Sequence, residues 1–256
     1  MKRILLCILS LTLLFSGAIL SVDAAGNSYS WYCRHVKDHA RPTADASLSF
    51  VESLDGYYID AHDPEDKVIY LTFDAGYENG NLEKILDVLQ KEGVPAAFFV
   101  LAHLVEAHPN LIRRMSAEGH LVCNHTARHK DMSAADEESF IKELKSLETI
   151  CKDATGVEMA SYYRPPEGKF SRENLEAAQK NGYKTIFWSF AYPDWDNHRQ
   201  MPLEKAKSII LENLHNGEVM LLHPTSSTNA AILGDVIREA KAQGYRFGTL
   251  DELTAK

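Results

Sequence analysis

"VIYLTFDAGYENGNLEKILDVLQKEG", residues 68–93, reads as one strand, one turn and one helix. The β-rich apolar run VIYLTF ends in a single acid, Asp74, followed by Ala75 and a turn of Gly, Tyr and Asn. Leu82, Ile85, Leu86 and Leu89 then fall on one helical face, and Gly93 supplies a stop. A strand followed by a crossover helix needs a parallel neighbour strand. An acid at the end of a buried strand is costly unless it is paired or used. Asp74 is therefore the first candidate for chemistry.

The same alternation continues toward the C-terminus. Strand-like runs follow at AAFFV (96–100), HLVCN (120–124), SYYR (161–164), TIFWSF (185–190), EVMLLH (218–223) and YRFGTL (245–250). Helical segments are expected from Ser133 or Asp136-Glu137 to about Asp153, Ser171 to Gly182, Pro202 to Gly217 and Asn229 to Gln243, with capping or stop residues at their ends. Seven strands alternating with helices predict an α/β fold with parallel pairing. Asp74, His125, Arg164 and His223 each stand at or just past the C-terminal end of a strand, and Asp194 a few residues past another. Those ends face one rim in parallel architectures, where active sites lie. A distorted (β/α) barrel of about seven parallel strands joins first and last strand ends better than an open sheet does.

Composition narrows the partners. The 256 residues carry 27 Lys and Arg against 36 Asp and Glu, a formal charge of −9, which argues against nucleic acid and anionic lipid. Lys2 and Arg3, an apolar stretch from Ile4 to Leu20 and small residues up to Ala25 form a signal-peptide pattern. Residues 1–25 are expected to be removed on export, leaving no stable membrane partner. That would take two of the 27 bases and one of the 36 acids, giving 25 against 35. Residues 26–66, rich in polar and turn residues, read as a lead-in packed on a catalytic domain spanning 67–256. Cys33, Cys123 and Cys151 would remain, an odd number without close spacing, which is neither a disulfide framework nor a cysteine metal site.

His125 and His129 stand at i, i+4, a spacing that on a helical turn lets two imidazoles share a divalent ion. Arg164, before Pro165 and Pro166, is a candidate partner that holds a carboxylate ionised. His223 follows an apolar strand, and a histidine can act as acid or base close to neutrality. Asp194 beside Trp195 pairs an acid with a flat apolar surface suited to sugar rings. Singly, each histidine reads as an ordinary surface or core residue, and only their shared rim makes them a site.

In order, TFDAG (72–76), HTARH (125–129), RPPEG (164–168), DW (194–195) and LLH (221–223) resemble the five motifs of the polysaccharide deacetylases. This is carbohydrate esterase family 4, with its NodB homology domain, and the resemblance runs from about 67 to 252. "TFDAGYENG", with the lead-in SWYCRHVKDHARP (30–42), is similar to the delta-lactam-biosynthetic de-N-acetylase branch, which acts on muramic acid of the spore cortex. The resemblance implies an exported enzyme that removes the N-acetyl group of N-acetylmuramic acid in peptidoglycan, toward muramic delta-lactam. It implies Asp74 as base on the attacking water, Arg164 as its partner, His223 as general acid and Asp194 as support. His125 and His129 would hold one divalent metal ion, zinc first, with Mg, Mn or Co as alternatives. Trp195 would line the groove, Leu222 and Pro165 the substrate pocket, and the Tyr77 backbone N–H would add to the oxyanion hole. The expected partner is a glycan strand freed of its stem peptide, engaged by a monomer in the cell wall or spore cortex space. The competing readings are a non-catalytic glycan-binding protein and a deacetylase of N-acetylglucosamine polymers.

Two positions depart from the family. Ala75 stands where most members carry the aspartate that is the third metal ligand, and Ala191 replaces the first acid of the fourth motif. Loss of one charged ligand predicts weaker metal binding. Water or Asp74 would complete the shell, or Ala75 would make room for the lactyl carboxylate of the substrate. Arg128, Lys130 and Lys169 are alternative holders of that carboxylate.

Overall fold

The computed structural model describes residues 28–255, so the expected signal peptide, with Cys7, lies outside them. Strand Val68–Ala75 is the axis of the sheet. It pairs with Glu218–Leu222 along Ile69–Phe73, with Ala97–Val100 along Thr72–Ala75, and with Arg246–Phe247 at its start. From Ala97–Val100 the sheet continues through Leu121–Asn124, Tyr162–Tyr163 and Lys184–Ile186 to Gly56–Tyr57. Every pairing named here is parallel. Just past Lys184–Ile186, a parallel bridge joins Phe190 to Met220, and the Leu221 N–H donates to the Phe190 carbonyl at 2.9 Å. That bridge brings the curled sheet back onto Glu218–Leu222. The result is the distorted parallel barrel expected from the alternation.

Both faces of the sheet are buried, which is why its strands read as continuous apolar runs. Ile69, Leu71, Phe73 and Ala75 pack outward in the main apolar cluster with Leu82, Ile85, Leu86 and Leu89. Val68, Tyr70, Ala97, Phe99, Cys123, Ile186 and Val219 form a separate inner cluster. The helices begin where capping chemistry permits. Leu82–Glu92 stops at Gly93, whose φ of 63° is left-handed and favours glycine. Asp136, rather than Ser133, opens Glu137–Thr155 by accepting from the Ser139 N–H. Ser171 and Asn174 form a capping box on Arg172–Lys180, and Ser226 caps Ser227–Ala242. Pro202 sits at the cap position before Leu203–Glu212 rather than inside its first turn.

Several strands are shorter than their apolar runs. In YRFGTL only Arg246–Phe247 pairs, and the chain turns into the short helix Leu250–Leu253. Gly248 lies between them, where an added Cβ would stand 2.7 Å from the Tyr70 ring, so the chain passes closely under the sheet. Residues of the lead-in form elements of their own. Ser28–Ser30 pairs antiparallel with Lys169–Ser171, and Gly56–Tyr57 pairs with Lys184–Ile186. The Trp31 indole donates to the Trp188 carbonyl at 2.9 Å and stacks on Phe187 at 4.4 Å.

Candidate active site

Asp74 occupies the penultimate position of its strand, with its carboxylate at the rim and 11% exposed. Arg164, fully buried, donates from Nη1 to Asp74 Oδ1 at 2.9 Å. Its remaining donors meet the Thr72 hydroxyl at 2.9 Å and the carbonyls of Ile186 and Phe187 at 3.0 and 3.1 Å, while its face covers the Phe99 ring. A buried guanidinium with this many acceptors has one fixed orientation. Burial works to raise the Asp74 carboxyl, but His125, Arg164 and His223 outweigh it and hold the group below the usual carboxylate range. Asp74 is an ionised, oriented acceptor.

His125 follows strand Leu121–Asn124 and is buried. Its Nδ1 lies 2.9 Å from the Arg164 carbonyl, which fixes Nδ1 as donor and leaves the Nε2 lone pair 3.5 Å from Asp74 Oδ2. Burial pushes this imidazole down to about 4, so it is neutral near pH 7. The HTARH segment is a loop, not the helical turn that the i, i+4 spacing suggested. Thr126 and His129 have φ of 67° and 55°, left-handed values that no helix contains. The Asn124 carboxamide accepts from the Thr126 N–H, and the Thr126 hydroxyl accepts from the His129 N–H, holding this turn. The two rings still meet, edge to face, with centroids 4.9 Å apart.

Just past Glu218–Leu222, the strand paired with that of Asp74, His223 carries the second half of the chemistry. Asp194 accepts from the His223 backbone N–H through Oδ2 and faces His223 Nδ1 through Oδ1, both at 2.7 Å. Burial alone would disfavour the charged ring, but the Asp194 carboxylate overrides it and raises His223 above the ordinary histidine value. Asn229 donates to Asp194 Oδ2 at 2.6 Å and to the His223 carbonyl at 3.1 Å, and Tyr192 donates to Asn229. Asn229 and Thr72 escape sequence reading because neither titrates; Thr72 opens the TFDAG motif without suggesting a role, and Asn229 lies in no motif. The one signal for Asn229 is its N3 position behind the Ser226 cap.

The other expected residues separate into surface and core. Trp195 and Tyr77 are 61% and 60% exposed, and Trp195 stands edge-on to His223 at 6.3 Å. Pro165 is buried at the start of the short turn Pro166–Gly168. Leu222 is 1% exposed and packs in the layer between sheet and helices, so it offers no open wall to a ligand. Ala75 is likewise fully buried in that layer, because alternate strand residues face opposite sides of the sheet. The expectation that Ala75 makes room for a substrate carboxylate therefore finds no opening at the rim. Ala191 carries no acid, and its carbonyl instead meets His35 Nε2 from the lead-in at 2.8 Å.

A divalent ion suits the donors only in part. His125 presents an oriented, neutral nitrogen, with His129 beside it and Asp74 Oδ2 as the nearest oxygen. Among the described residues no group of three His, Cys, Asp or Glu side chains is arranged to hold a metal. The described residues thus offer an ion the two imidazoles alone, an incomplete set that would leave the other positions of the shell to water or substrate.

Residues 61–186 match the polysaccharide deacetylase family. The chain is 41% identical over 255 residues to the uncharacterized 30.6 kDa protein in the fumA 3' region of Geobacillus stearothermophilus, covering 98% of this chain and 94% of that one. It is 38% identical over 242 residues to the peptidoglycan-N-acetylmuramic acid deacetylase PdaA of Bacillus subtilis, covering 94% and 91%. The solved structure of that Bacillus subtilis PdaA, a family 4 carbohydrate esterase, superposes with a TM-score of 0.84 over 88% of this chain and 96% of the other.

Proposed function

The chain belongs to the polysaccharide deacetylase family, carbohydrate esterase family 4, and on that premise we propose that it hydrolyses the N-acetyl group of N-acetylmuramic acid in peptidoglycan. The observation that carries the reading is a pair of oppositely tuned groups on adjacent strand ends. Asp74 is held down beside Arg164, while His223 is held up beside Asp194. Pairs of titratable groups pushed apart by their surroundings mark base and acid.

Asp74 takes a proton from the water that attacks the acetamide carbonyl, and Arg164 keeps it aimed and ionised. His223 gives its proton to the departing nitrogen as the carbon–nitrogen bond breaks, leaving acetate and a free amine. Asp194 stabilises the charged imidazole and Asn229 fixes Asp194. The backbone N–H of Tyr77 adds to the stabilisation of the oxyanion. Zinc held by His125 and His129, when bound, supplies a more acidic water and a polarised carbonyl. The enzyme acts outside the cytoplasmic membrane as a monomer, on glycan freed of its stem peptide, and its product feeds delta-lactam formation in spore cortex. A decayed binding protein would not be expected to keep base, acid and both supporting partners together.

The test measures acetate released by the purified, zinc-supplied protein from three substrates: peptide-free peptidoglycan, intact peptidoglycan and chitooligosaccharides. Release from the peptide-free glycan is expected, with Asp74→Asn lowering the rate about 10³-fold. Equal release from chitooligosaccharides would remove the muramic assignment, and no release from any glycan would remove the activity.

A further inference from the structure

We propose that Tyr77 and His103 form a second sugar-binding surface, which stacks on a ring of the glycan adjacent to the unit held at Trp195 and His223. This rests on the glycan-deacetylase reading above. Single exposed apolar residues are ordinary on a protein surface. Tyr77 differs in three respects.

First, its ring is 60% exposed yet leans on His103, another exposed residue, with centroids 4.9 Å apart and planes at 49°. The two tilted rings thus make an angled apolar surface with polar edges, of the kind that suits the C–H face and hydroxyl rim of a pyranose. Second, the turn that presents Tyr77 is rigid. The Glu78 carboxylate accepts from the Leu82 N–H at 3.1 Å, and Gly76 packs so closely on Leu101 that a Cβ would stand 2.7 Å from its side chain. The Asn79 and Asn81 carboxamides both donate to the Thr225 carbonyl, at 2.8 and 3.1 Å, two residues after His223. A binding group on a fixed turn loses little freedom when it is covered.

Third, the strand pairing sets the order along the rim. Phe190 bridges Met220, Phe73 pairs with Leu222, and Ala75 pairs with Val100. The side chains past those strand ends run Trp195, His223, Tyr77, His103. The segments that precede Trp195 and Tyr77 thus have one strand between them, a spacing of roughly 10 Å; His223 follows that middle strand, and Asp74 stands at the end of the strand that leads to Tyr77. Two exposed aromatic stations flanking one catalytic pair describe a polymer site, in which neighbouring sugars are held on both sides of the reacting bond.

The test titrates peptide-free disaccharide and tetrasaccharide fragments of peptidoglycan into wild-type protein and variants, reading Kd by calorimetry and acetate release in parallel. The wild type is expected to bind the tetrasaccharide more tightly. In His103→Ala and Tyr77→Ala the advantage of the longer chain should shrink roughly fivefold, the worth of one aromatic stacking contact. Tyr77→Phe should retain the advantage, and so should Tyr32→Ser, a control at an exposed aromatic of the lead-in. An unchanged advantage in both alanine variants overturns the platform, as does a loss equal for both fragments. Acetate release separates the two proposals: release with unchanged length preference removes the platform alone. Absence of release removes the activity, with the platform still judged by the Kd ratio, and failure of the wild type to bind either fragment overturns the platform as well.

Discussion

Asp74 and Glu218 lie on paired strands, one at the rim and one at the opposite end of the barrel, and burial treats them in opposite ways. Asp74 has Arg164 at 2.9 Å and stays ionised. Glu218 is fully buried in the outer layer; its Oε2 accepts only the His215 backbone N–H, and its Oε1 has no partner among the described residues. The nearby His215 ring is pushed down to about 4 by its own burial, so it lends no charge. Burial therefore drives Glu218 well above the usual carboxylate range, favouring its neutral form. Depth does not decide whether a carboxylate is reactive. A fixed counter-charge does.

The largest way to break this contrast is Arg164→Ala. It leaves the Asp74 carboxylate buried beside no permanent cation, and is expected to cost roughly 3–5 kcal/mol of stability in denaturant titrations. Asp194→Asn removes the group that raises His223. The rate of acetate release should fall roughly ten- to a hundredfold, and the alkaline limb of its pH profile should move to lower pH, because His223 then loses its proton earlier. Glu218→Gln should have the smallest effect, within about 0.5 kcal/mol in acid, since a neutral group replaces a neutral group.

The sign of the pH dependence sharpens the comparison. Glu218 is raised on folding, so its contribution to stability is full below the unfolded glutamate value and declines as pH climbs through the folded one. Asp74 is lowered, so its contribution is present above the unfolded aspartate value and declines as pH falls through the folded one. Thermal melts across pH should therefore show Glu218→Gln flattening the alkaline-side decline while leaving the acid-side decline in place. An unchanged alkaline-side slope would show that Glu218 is ionised in the folded protein.

Much of the fold was readable because a doubly covered parallel strand must be apolar throughout, and Gly93, Ser171 and the other punctuating residues act locally. The short pairings were not readable. Ser28–Ser30 with Lys169–Ser171, Gly56–Tyr57 with Lys184–Ile186, and the closing bridge Phe190–Met220 depend on segments far apart in the chain. In the site, Asp74, His125, Arg164, Asp194 and His223 announced themselves as titratable groups at strand ends. The HTARH spacing misled, because i, i+4 brings side chains together in a helix and also, by another path, in a loop with two left-handed residues.

The sequence by itself determined the strand–helix alternation, the rim on which the polar groups gather and the absence of an acid at positions 75 and 191. Tertiary structure alone decided which nitrogen of His125 is free, that the carboxylate of Asp194 holds His223, and that Ala75 faces the core, whereas the pairing of Arg164 with Asp74, present in the fold, was already expected. The physical reason is range. Propensity and periodicity act between near neighbours, whereas the charge state of a buried group is set by whichever partner folding brings within hydrogen-bond distance.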